Sequence, residues 1–129
     1  MDSVFLLFNF GGNNMKNLDR LKMEVKGIDF TDTELEIYMQ ENGLNPNEEY
    51  NPSSNTNKKN ILKTALSILE SVANNIDLMR NFKMEDMTIS QFSENLQNRI
   101  DALDRKIRMI KDDNDTYTDG ASFIYMFTD

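Results

Sequence analysis

Chemistry in this chain would have to come from carboxylates, lysines, tyrosines and hydroxyls. The 129 residues include no His and no Cys. The commonest general base, the thiolate nucleophile and the usual zinc ligands are therefore missing. Three arrangements invite a closer look. Asp115 to Gly120 resembles the start of a calcium loop, with Asp119 in the fifth position and Gly120 in the sixth. Tyr117 occupies the third position and Met126 the twelfth, where a bidentate Glu should stand, so the ligand set fails. Gly11-Gly12 lacks the Lys-Ser/Thr that completes a phosphate loop. Glu34/Glu41 and Asp101/Asp104 are carboxylate pairs at helical spacing, but no neighbouring residue supplies an apolar wall or an acid–base partner. We assign no catalytic, cofactor or metal site, and expect a chain that is not an enzyme.

Charge is more informative. The net charge is −8, a poor basis for gripping phosphates. Its distribution is uneven. Residues 27–57 hold seven acids, among them Glu34, Glu41, Glu48 and Glu49, and no base. Residues 58–111 hold ten bases against seven acids, a net of +3. One reading is an acidic solvated loop region. The other is a subunit with two unlike flanks, suited to head-to-tail packing of identical copies. No run approaches the length of a membrane span, and the early stretch 4–8 carries no positive flank for a secretory signal. An intracellular protein is expected.

The elements that would carry these charges read as helices. Leu18, Leu21 and Val25 recur at helical spacing, and Gly27 is a fitting stop. Thr31-Asp32-Thr33-Glu34 is a capping box opening a second helix, with Leu35, Tyr38 and Met39 as its apolar side and Gly43 as its cap. Residues 45–57, with both prolines, read as loop. The stretch from Lys58 carries Ile61, Leu62, Ala65, Leu66, Ile68, Leu69 and Val72, an apolar face wide enough to be covered from several sides. Asn74-Asn75 should interrupt it, with a short turn or helix following. Thr88-Ile89-Ser90-Gln91 opens the last helix, where Phe92, Leu96, Ile100, Leu103 and Ile107 repeat nearly as a heptad seam. That seam packs either within the chain or against another subunit. Arg105, Lys106 and Arg108 crowd its basic end, which also suits the helix dipole. The expected fold is all-α: a small bundle of about four helices over 15–112, with a C-terminal strand or extended arm over 113–129. Phe123, Ile124, Tyr125 and Phe127 make that arm apolar, and a lone strand there must pair locally, as with the N-terminal apolar run, or add to a partner's sheet.

The N-terminal stretch reads differently. Gly11-Gly12-Asn13-Asn14-Met15 can be encoded with the ribosome-binding core GGAGG, followed by A-rich codons and a start codon. Residues 1–14 are therefore expected to be a leader outside the native protein, with Met15 as the native start. The alternative is a genuine strand pairing with the aromatic tail.

The order of a capped acidic helix (TDTELEIYMQENGL), an Asn-Pro loop, NKKNILKTALSILESVANN, a TIS segment and QFSENLQNRIDALDRKIR resembles the head–tail connector, or head-completion adaptor, proteins of tailed phages and prophages of Gram-positive hosts. The resemblance covers roughly residues 16–111. It implies a structural virion subunit that forms a ring with itself, typically a dodecamer, beneath the portal protein. Such a ring extends the DNA channel, with DNA only passing through, and offers a surface to a downstream stopper or tail protein. The family has no catalytic residues, no cofactor and no membrane partner. The acidic segment 27–57 and the basic segment 99–111 would then supply complementary subunit faces. The alternative is a small acidic regulatory module of the antitoxin or DNA-mimic type, which would need carboxylates along one continuous surface.

Overall fold

The computed structural model describes residues 15–113. Residues 1–14 and 114–129 lie outside them, and with them the expectations for the leader and for Phe123, Ile124, Tyr125 and Phe127. The described residues form an all-α bundle of five helices: α1 (Asn17–Glu24), α2 (Asp32–Glu41), α3 (Asn55–Ala73), α4 (Ile76–Phe82) and α5 (Ile89–Met109). The fifth element is the short α4. It forms because Asn75 caps its start, the side chain accepting from Asp77 N and Leu78 N.

α3 is the centre. It touches each of the other four helices, and Ile61, Ala65, Ile68, Leu69 and Val72 on it are buried to within a few per cent. Its wide apolar face requires cover from several sides, and α1, α2, α4 and α5 supply it. α5 lies along it with Leu96, Ile100, Leu103 and Ile107 inside. α1 contributes Leu21 and α2 contributes Leu35 and Met39, while Val25, Ile28 and Leu44 close the ends of these two helices. Both expected capping boxes form: Thr31 with Glu34, and Thr88 with Gln91. Gly43 sits at φ 76°, where a side chain would be strained, and lets Leu44 N–H turn back to Met39 O at 2.9 Å.

The loop expected over 45–57 is shorter, because α3 starts at Asn55. Residues 55–57 have no apolar period to announce a helix. Polar capping starts it instead: Ser54 Oγ accepts from Asn57 N at 3.1 Å. The remaining loop is pinned to the start of α1, which has no side-chain cap. Asn17 N–H donates to Glu48 O at 2.9 Å and Leu18 N–H to Pro46 O at 3.2 Å. Tyr50 N–H returns to Met15 O at 2.7 Å, and Lys16 and Glu49 form one isolated antiparallel bridge. Loop carbonyls thus satisfy helix N–H groups that would otherwise be left without partners.

The chain also closes at its other described end. Asp113 Oδ2 accepts from Ser54 Oγ at 2.5 Å and Oδ1 from Asn55 N at 2.8 Å, while Asp113 N–H donates to Thr56 Oγ1 at 2.8 Å. A carboxylate from beyond α5 therefore caps α3, so Asp113 belongs with the helical body. The Ser54 hydroxyl and the Asn55 N–H hold its pKa below the ordinary carboxylate value. A folded-state pKa below the unfolded one means that the cap's contribution is present above the unfolded value and lost as pH falls through the folded one. Thermal melts of the wild type and Asp113→Asn from neutral to acid pH check this: the variant should melt lower at neutral pH, and the gap should close in acid.

Candidate interaction surface

The structure separates the seam from the surface. Leu96, Ile100, Leu103 and Ile107 are buried within the chain, and half-buried Phe92 packs against the same core. The apolar face of α5 is therefore occupied by its own bundle and offers no free stripe to a second subunit. The basic residues of its last turns do face outward. Arg105, Lys106 and Arg108 are exposed, with Arg108 reaching back to Asp104 at 3.2 Å. Arg99 is used internally: its guanidinium donates to Glu24 O at 3.1 Å and Lys26 O at 3.3 Å, closing the C-terminus of α1 against α5.

Charge and shape combine at one place that the sequence pattern did not single out. α1, α3 and α5 meet around a cleft of about 330 Å³ lined by Leu62, Met109 and Ile110 with Arg20, Lys58 and Lys106 and one acid, Glu24. Met109 is 83% exposed. Arg20 is held by Glu24 at 2.9 Å and lies 5.5 Å from the centre of the Tyr50 ring. Lys58 and Lys106 have no ion-pair partner among the described residues. The result is an apolar floor with a basic rim. Its parts come from residues 20, 58–62 and 106–110, so no single stretch reveals it.

The acidic residues gather on the other side of the sequence split. Glu34 is engaged in its own capping box, accepting from Thr31 N at 2.9 Å, yet remains exposed. Asp32 is taken by Lys22 at 2.9 Å, a hydrogen bond that raises the lysine's pKa. Glu41, Glu48 and Glu49 are exposed and have no ion-pair partner among the described residues. Ile37 stands between Glu34 and Glu41 at helical spacing on α2 and is 51% exposed. It lies outside the buried side of that helix, which is Leu35 and Met39 with half-buried Tyr38.

Among the described residues no group of acids is placed to hold a metal ion, and no helix is long and apolar enough to cross a membrane. Tyr38 and Ser71, the buried-side hydroxyl pair, donate and accept one hydrogen bond at 2.8 Å, with no carboxylate or amine bonded to either. No protein-family model matches the chain, and neither a curated protein nor a solved structure is significantly similar to it. The arrangement offers, on one helical bundle, exposed acids and a cleft rimmed mostly by bases.

Proposed function

We propose that the chain is a structural subunit of a tailed-phage head–tail connector. In this reading, copies assemble into a ring, a dodecamer by the resemblance, beneath the portal protein. The ring extends the DNA channel and receives a downstream stopper or tail protein, so its location is the virion, assembled in the host cytoplasm. The observation that carries the reading is a bundle that leaves exposed Glu41, Glu48 and Glu49, and also Lys58 and Lys106, without an ion-pair partner among the described residues, charges of both signs that a neighbouring copy could answer. A closed ring of identical subunits needs a heterologous interface, in which two different faces meet. The resemblance in element order supports it, and the net charge of −8 suits a channel along which DNA passes without sticking.

Co-expression of the full chain with the portal protein of the same genome tests it. Light scattering and electron microscopy should find ring-sized particles seated on portal. A chain that stays monomeric beside portal, and that pulls down a nuclease or repressor from its host, would favour the acidic regulatory module instead.

A further inference from the structure

We infer that the α1–α3–α5 cleft is the socket for α2 of a second copy of this chain, with Ile37 as the knob. The inference deepens the ring reading by naming its subunit contact, and rests on that reading only for the idea that the contacts close into a ring. The two surfaces match in both respects that govern docking. Ile37 is a half-exposed aliphatic side chain on an otherwise polar helical face, flanked by Glu34 and Glu41. The cleft offers an apolar floor, Leu62 with the largely exposed Met109, under Lys58 and Lys106, while Arg20 on its rim is already paired with Glu24. An apolar contact ringed by opposite charges gives both a buried centre and a fixed orientation. Each surface leaves charge unanswered among the described residues. Lys58 and Lys106 on one side, and Glu41 on the other, lack ion-pair partners among the described residues.

The geometry also sets the symmetry. Knob and socket share no residue and no helix, α2 against α1, α3 and α5. A contact between them is therefore heterologous, joining two different surfaces of the same chain. Such a contact propagates head to tail, closing into a ring or extending as a filament. The contact reaches the core only at Leu62; its other residues are at least partly exposed.

The absence of cysteine makes the test direct. Ile37→Cys and Met109→Cys are introduced singly and together into the full chain, and disulfides are formed with a mild oxidant. The double variant should give a ladder of covalent oligomers on a non-reducing gel, ending in one discrete band if the ring closes. Each single variant alone should remain monomeric, and a mixture of the two should give only dimer. Adding Lys58→Glu and Lys106→Glu to the double variant should abolish the ladder, and raising the salt should weaken it. A double variant that yields only monomer-sized species, while the wild type is oligomeric by light scattering, overturns this contact and leaves the ring reading standing. A ladder from a chain that never joins portal overturns the connector reading and leaves the contact standing. Preferential pairing of Met109→Cys with Phe127→Cys of the same chain would put the chain's own aromatic end in the socket and overturn the inference.

Discussion

Leu96→Ala should lower the stability of the isolated chain by about 2–5 kcal/mol, the cost of removing a large buried side chain and leaving a cavity. Leu96 is 1% exposed on the face of α5 that enters the core. The described body is small, and domains of this size have only about 5–15 kcal/mol of total stability. A fall in melting temperature of roughly 10 °C or more follows from the entropy of unfolding such a domain. The informative part is its dependence on concentration. If the seam were an interface between subunits, the melting temperature would rise with protein concentration, and the substitution would change that dependence. Packed within one chain, the loss should be the same in dilute and concentrated samples. Calorimetry at two concentrations well apart decides it. Asn98→Ala, on the surface of the same helix and outside the cleft, should leave the melting temperature nearly unchanged.

Leu96 also marks where the sequence stops being informative. Its heptad-like neighbours announce a buried face, because the spacing of apolar residues along a helix is local. Which helix covers that face is not local: the cover is α3, more than twenty residues back in the chain. The capping boxes at Thr31 and Thr88 were legible for the same local reason, since donor and acceptor lie three residues apart. So was the turn at Gly43, a single backbone conformation. The start of α3 was not, because part of its cap, Asp113, comes from 58 residues further along the chain. The charge split was visible along the chain, but the basic-rimmed cleft was not. Arg20, Lys58 and Lys106 become neighbours only once three helices have packed. Ile37 carries the least local signal of all. An isoleucine in an amphipathic helix is expected inside, and only its position opposite Leu35 and Met39 leaves it out.

Asn17 is the polar counterpart of Leu96, and its substitution should be nearly as damaging. It occupies the first turn of α1, a place where an Asn is ordinarily solvated, yet it is only 1% exposed. Its Nδ2 donates to Asn45 O at 3.0 Å, and its Oδ1 accepts from Asn57 Nδ2 at 2.9 Å. Asn57 in turn accepts from Asn51 N–H through Oδ1 at 2.8 Å. One side chain therefore links α1, both halves of the Asn-Pro loop and the first turn of α3. Asn17→Ala removes both bonds, a cost of about 1–3 kcal/mol at about 0.5–1.5 kcal/mol each; the exposed Asn45 and half-buried Asn57 can turn to water. Asn17→Asp should be worse. It keeps the acceptor for Asn57 but turns a second carboxylate oxygen toward the Asn45 carbonyl and buries a charge with no cation bonded to it. Its penalty should shrink as pH falls and the carboxyl becomes protonated, because the neutral form can donate to Asn45 O again. Asp113→Asn gives an internal comparison: its penalty is also largest at neutral pH, but there the gap closes because the wild type weakens in acid, whereas here it closes because the variant recovers. Hydrogen exchange of Asn17, Leu18 and Tyr50 amides reads the local effect: these three N–H groups hold the loop to α1, so Asn17→Ala should release their protection before that of the α3 core. Equal loss of protection in all of them would mean that the loop and the bundle unfold as one unit and that the asparagine network sets global stability rather than the docking of the loop.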